Sequence, residues 1–166
     1  MADARCQRYP TPRHKCAQQL RPALIFNAWA FRHTRFMNSN PSIPAVKVFL
    51  VEDHATIRDC IAELVCSVAG TQVVGTADEP DGACAGISLT QPDMVVVDLQ
   101  LKSGTSGLAV LRWLREHAPG IAAIVLSNSM YPQMKEACLK LGARLVLDKS
   151  SEALQVRDAV RELARG

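Results

Sequence analysis

The 166-residue chain lacks any apolar run approaching the roughly 20 residues that a membrane-spanning helix needs. It also lacks metal or redox cysteine spacing: Cys6, Cys16, Cys60, Cys66, Cys84 and Cys138 form no C-x-x-C and no Cys/His ligand pattern. Cys60 and Cys66 fall in an apolar helical pattern, where cysteine behaves as a small hydrophobe, and a reducing, cytoplasmic setting fits them. No internal repeat or low-complexity tract is present. Acid is nearly missing from residues 1–45, where Asp3 stands against seven Lys/Arg, a net +6. The remaining residues carry twelve Lys/Arg and fifteen acids, a net −3. That mildly acidic part offers no nucleic-acid surface.

What the first 36 residues lack decides their reading. Ala23 to Phe31 is a short apolar stretch interrupted by Asn27 with no convincing cleavage site, which argues against a secretory signal. No serine precedes Ser39, unlike an organelle transit peptide. Arginine interleaved with Tyr9, Trp29 and Phe31 leaves a nucleic-acid arm as the alternative. Residues 1–44 are expected to be a basic leader, disordered or dispensable, with Met37 as a second start and one domain over 45–166.

What is present begins at residue 46. With 48% apolar residues the chain can bury a core. "VKVFLV" (46–51) is a nearly continuous apolar run, as in a strand covered on both faces. Ile57, Ile61, Leu64, Val65 and Val68 then mark one face of a helix ending near Gly70. The alternation continues through strands at 72–77, 93–98, 121–127 and 144–148. Helical patterns follow them at 81–89, 107–118, 132–141 and 150–165. Five strand–helix units of this length require a parallel sheet with right-handed crossovers and helices on both faces, an α/β doubly wound architecture.

Ligands of such sheets bind beyond the carboxyl ends of the strands. Strand 1 delivers Glu52 and Asp53, strand 3 Asp98, strand 4 Ser127 and strand 5 Lys149. Taken singly, each has an ordinary reading: Asp53 or Asp98 as a helix cap, Ser127 as a turn residue, Lys149 as a surface charge, Glu52 as a polar strand end. Together at one edge they make a site. Three carboxylates form a hard-oxygen pocket suited to Mg²⁺. Asp98 can attack phosphorus, while an amine and a hydroxyl stabilise the transferring phosphoryl oxygens.

The segments "VFLVEDH", "VVVDLQ", "IVLSNS" and "LVLDKS" resemble the receiver domain of two-component response regulators, over residues 45–165. The resemblance implies a flavodoxin-like (βα)5 three-layer sandwich with strand order 2-1-3-4-5. It implies phosphotransfer to Asp98 from a histidine kinase or phosphotransfer protein, in a phosphorelay. Mg²⁺ would be held by Asp53, Asp98 and the main-chain carbonyl of Gln100, with Glu52 assisting through water. Ser127 would contact the phosphoryl group and Lys149 would pair with it. Gln100 and Ser129 match variable positions that influence how fast the phosphoryl group is hydrolysed.

Three departures stand out. "DLQLKSGTSG" lacks the usual proline after the phosphoacceptor and is one residue longer up to Gly107. Ser150 replaces the proline after Lys149, which puts the family's cis peptide in doubt. Val146 stands where an aromatic switch residue is usual. No output domain follows the fifth helix, so the expectation is a chemotaxis-type single-domain receiver acting on protein partners, with a homodimer left open. It would bind neither DNA nor membrane and would not be an enzyme with its own catalytic domain. Two rivals remain: a phosphate-independent protein-binding module, and an aspartate-nucleophile phosphatase. The phosphatase would need a general acid where Gln100 stands.

Overall fold

The computed structural model describes residues 46–128 and 131–165. The leader, the second start at Met37 and Ser129 lie outside the described residues. The elements run β1 (Val46–Val51), α1 (Ala55–Cys66), β2 (Thr71–Ala77), α2 (Pro80–Thr90), β3 (Met94–Val97) and a 3-10 turn (Lys102–Gly104). They continue with α3 (Leu108–His117), β4 (Ala122–Ser127), α4 (Pro132–Lys140), β5 (Ala143–Asp148) and α5 (Gln155–Leu163). The strands form one parallel sheet, as the sequence alternation requires, in the order β2-β1-β3-β4-β5 that the resemblance implies.

Side chains alternate across a strand, and here the alternation sorts the core into two halves. Phe49, Val51, Val95, Val97, Ala123 and Val125 pack with Ile87 of α2 and with Val110, Leu111 and Leu114 of α3. Val48, Leu50, Val96, Ile124, Leu126 and Leu147 pack with Ile61 and Val65 of α1 and with Val156 and Val160 of α5. Leu50 and Val95 are fully buried, each burial contributing about 1.5–3 kcal/mol relative to exposure. Cys60 corrects the sequence reading: it is exposed, while the core-facing positions of α1 are Ile61 and Val65.

Phe49 explains two glycines. Its ring lies against both Gly75 of β2 and Gly86 of α2, where a Cβ would come within 2.6 Å of the ring at Gly86 and closer still at Gly75. The large ring on the central strand thus draws β2 and α2 in. Helix α5 begins later than its sequence pattern, at Gln155 rather than Ser150. The cause is Asp148, whose Oδ1 accepts from the backbone N–H of Ser150 at 2.8 Å and of Ser151 at 3.2 Å, and from the Ser150 hydroxyl. These bonds hold a turn that competes with helix. The described backbone contains no cis peptide bond, so the Lys149–Ser150 link is trans. Among the described residues no helix is long and apolar enough to cross a membrane.

Candidate functional site

Beyond the strand ends the alternation carries chemistry. Glu52 and Asp98 follow the parity of Leu50 and Val96, and Lys149 that of Leu147, so all three continue the α1/α5 side of the sheet. Each is anchored by backbone. Glu52 N–H donates to Ala77 at 2.9 Å, Asp98 N–H to Val51 at 2.9 Å, and Lys149 N–H to Ser127 at 3.1 Å. The parallel ladder therefore extends into the pocket, and the side chains inherit its rigidity.

The three side chains meet. Lys149 Nζ donates to Glu52 Oε2 and to Asp98 Oδ2, each at 2.6 Å. All three side chains are nearly sequestered, at 7% exposed for Lys149, 2% for Glu52 and 5% for Asp98. The other oxygens are occupied by main chain: Glu52 Oε1 accepts from His54 N–H at 3.2 Å, and Asp98 Oδ1 from Gln100 N–H at 3.1 Å. Burial pushes the Glu52 carboxyl above its ordinary value, outweighing the hydrogen bond and charge of Lys149. Burial alone would lower Lys149, but its bonds to Asp98 and Glu52 win, and the amine is held above its usual range.

Asp53 is also buried, and its Oδ1 lies 3.4 Å from His54 Nδ1. Ser127 is fully buried and its hydroxyl has no hydrogen-bond partner. A buried orphan hydroxyl costs about 1–3 kcal/mol, so it is an unmet valence at the edge where a ligand belongs. The cap readings of the two aspartates fail: α1 is preceded by His54 and α3 by Gly107, neither making a side-chain cap bond.

The sequence reading missed three supports. Arg58 on α1 donates to the Glu52 carbonyl at 3.0 Å and pins the acid pair from behind. Gly107 presses on the Asp98 carbonyl so closely that a Cβ would collide with it and come within 2.7 Å of Val97 Cγ1. Its N–H donates to Leu99 at 3.1 Å and closes the long loop, with an isolated bridge pairing Gln100 and Ser106. The third is His54, written directly after the acid pair. The ligand atoms of Glu52, Asp53 and His54 all lie within 4.8 Å of one another, an acidic cluster consistent with divalent metal binding. Val146, at the position of the aromatic switch, is buried in the core half facing α3.

The family model for the response regulator receiver domain matches residues 48–161. The chain belongs to the response regulator receiver family. The receiver is 27% identical over 121 residues to the DNA-binding transcriptional activator DevR/DosR of Mycobacterium tuberculosis, covering 73% of this chain and 55% of the relative. It is 26% identical to the response regulator GacA of Pseudomonas aeruginosa, covering 73% and 56%. It superposes on the signal receiver domain of NarL from Mycobacterium tuberculosis with a TM-score of 0.66 and 25% identity, covering 74% of this chain and 98% of that one. The chain spans little more than half the length of these curated relatives. As a receiver it is a module of two-component signalling.

Proposed function

We propose that Asp98 is the phosphoacceptor of this receiver, taking its phosphoryl group from a phosphohistidine of a sensor kinase or phosphotransfer protein. The observation that carries the assignment is the Lys149 ammonium, bonded at 2.6 Å to Asp98, with the unpartnered Ser127 hydroxyl buried at the end of the intervening strand β4. A carboxylate, an amine and a free hydroxyl at one buried edge are the parts phosphoryl transfer needs.

In the transfer an Asp98 carboxylate oxygen forms a bond to phosphorus as the N–P bond of the donor breaks, its electron pair returning to the imidazole. Lys149 transfers a hydrogen bond from Asp98 to a phosphoryl oxygen, and the Ser127 hydroxyl donates to another. Glu52 keeps the lysine on the site while this happens. The donor set also fits Mg²⁺, a hard cation that takes oxygen ligands. Asp53, Asp98 and the main-chain carbonyl of Gln100 would hold it, with Glu52 assisting through water. When bound, Mg²⁺ supplies the positive charge that offsets the phosphoryl oxygens. The phosphorylated form is read by a protein partner.

Acetyl phosphate or phosphoramidate with Mg²⁺ should add one phosphoryl group to the wild-type chain and none to Asp98→Asn, read by intact mass. Labelling of Asp98→Asn equal to wild type places the phosphoryl group elsewhere and refutes the assignment, whereas a wild-type chain that takes no label favours the phosphate-independent binding module.

A further inference from the structure

Lys149 is fixed from two directions, and only one of them is the sheet. We propose that Asp148 and Glu152 are positioning residues for Lys149: they clamp the backbone on either side of it and so hold its ammonium between Asp98 and Glu52. The proposal rests on reading Asp98 as the phosphoacceptor.

The clamp starts where β5 ends. Asp148 is the last residue of that strand, in register with Ser127, and Lys149 N–H still reaches the Ser127 carbonyl at 3.1 Å. Past that rung the chain leaves the sheet and the Asp148 carboxylate takes over. Its Oδ1 accepts from the N–H of Ser150 at 2.8 Å, from the N–H and hydroxyl of Ser151 at 3.2 Å each, and from the Ser150 hydroxyl. Glu152 closes the ring: its N–H donates to the Asp148 carbonyl at 2.8 Å, and its Oε2 accepts from the Asp148 N–H at 2.9 Å. Six bonds thus join residues 148 to 152 around Lys149. The lysine ammonium takes no part in them, bonding to Glu52 and Asp98 at 2.6 Å each.

An ordinary helix cap does not account for this ring. A capping side chain stands directly before its helix, yet α5 begins at Gln155 and the residue before it, Leu154, makes no side-chain cap bond. Core packing does not account for it either, since Ser150 and Ser151 are exposed and no residue of the ring belongs to either core half. What the ring fixes is the root of a long side chain. A lysine ammonium rides on a flexible four-carbon stem, so it meets two buried carboxylates at once only when its Cα is held still. In the transfer the amine must shift a hydrogen bond from Asp98 to a phosphoryl oxygen while staying on the site. A misplacement of about 1 Å at such a step can cost about 100-fold in rate. The clamp supplies the fixed point about which the amine turns.

Two readouts on the full chain test this. Labelling by acetyl phosphate, followed against its concentration at saturating Mg²⁺, gives the rate. The sequestered Lys149 ammonium, 7% exposed, gives its own position by proton–nitrogen NMR with no phosphodonor present. In Asp148→Ala the maximal rate should fall by at least about tenfold, with the half-saturating acetyl phosphate concentration unchanged, and the Lys149 signal should shift and broaden. Asp148→Asn keeps an acceptor oxygen and should restore both readouts. Glu152→Ala leaves the Asp148 turn in place and should show the same split more weakly, so it carries the test where Asp148→Ala fails to fold. A turn that served folding alone would lower the melting temperature and leave the folded protein at the wild-type rate. Folded Asp148→Ala, or Glu152→Ala in its place, with a wild-type rate or an unmoved Lys149 signal overturns the proposal. Asp148→Asn as slow as Asp148→Ala overturns it too. Wild type that takes no label refutes the phosphoacceptor reading instead, and the Lys149 signal then decides the positioning by itself.

Discussion

The Lys149 ammonium lies 2.6 Å from Asp98 although 51 residues separate them, and it is equally close to Glu52. One buried cation therefore serves two buried carboxylates. Removing it leaves both uncompensated, a situation that typically costs about 3–5 kcal/mol. Lys149→Met should unfold at markedly lower urea concentration than wild type. Adding Glu52→Gln to it should recover part of the loss, because one of the two orphaned charges is gone. A Lys149→Met midpoint equal to wild type would show that the bridge contributes nothing to folding.

Gly107 tests the long loop after the phosphoacceptor. Its φ is ordinary, so the demand for glycine comes from the Asp98 carbonyl and Val97 against which it packs. Gly107→Ala should destabilise by about 1–3 kcal/mol through overpacking and should slow labelling of Asp98 by acetyl phosphate. Gly104 provides the contrast: a Cβ there meets open space, but φ is +72°, so Gly104→Ala should cost only backbone strain, about 1–2 kcal/mol. Labelling by Gly104→Ala should match wild type.

The sheet and the polar residues at its strand ends were legible because buried parallel strands write continuous apolar runs that stop at polar residues. "VVVD" and "VFLVED" place both the strand and its terminal acids. Pairing was not legible in the same way. That Lys149 joins Glu52 to Asp98, rather than Asp53, follows from strand parity and from the Ser127–Asp148 register, which only the folded sheet sets. Arg58 carried no signal in the sequence, because a guanidinium bonding to a carbonyl leaves no periodic pattern. The late start of α5 was hidden too, since Ser150 and Ser151 suit a helix N-terminus and a turn equally well.

Asp148 gives a pH test away from the acid pocket. Hydrogen bonds from the Ser150 hydroxyl and N–H, then from Ser151, hold its carboxyl below the usual 3.8. A depressed folded pKa stabilises the fold above the unfolded value, and that stabilisation is lost as pH falls through the folded one. Asp148→Asn should thus be less stable than wild type at neutral pH, with the gap narrowing as pH drops below 3.8. A gap that stays constant down the acid limb would show that Asp148 contributes no charge-dependent stability.

The last prediction separates acids that look equivalent in the sequence. Without metal, Glu52 and Asp98 each have the Lys149 ammonium at 2.6 Å, whereas Asp53 has the His54 ring at 3.4 Å. Asp53 therefore feels its acidic neighbours with little relief. Its ligand oxygen lies within 4.8 Å of that of Glu52, which at an effective dielectric of about 20 corresponds to repulsion on the order of 3 kcal/mol before screening. Removing that charge should stabilise the apo protein, the reverse of what most substitutions do. Asp53→Asn should melt a few degrees above wild type in EDTA. Asp98→Asn should not, because it gives up half of the lysine bridge along with the charge. Millimolar Mg²⁺ should raise the melting temperature of wild type in proportion to its binding and do little for Asp53→Asn. Melting curves of the three proteins, with EDTA and with Mg²⁺, check this directly. If Asp53→Asn melts lower than wild type and Mg²⁺ moves none of them, Asp53 is a structural acid and the pocket does not hold metal.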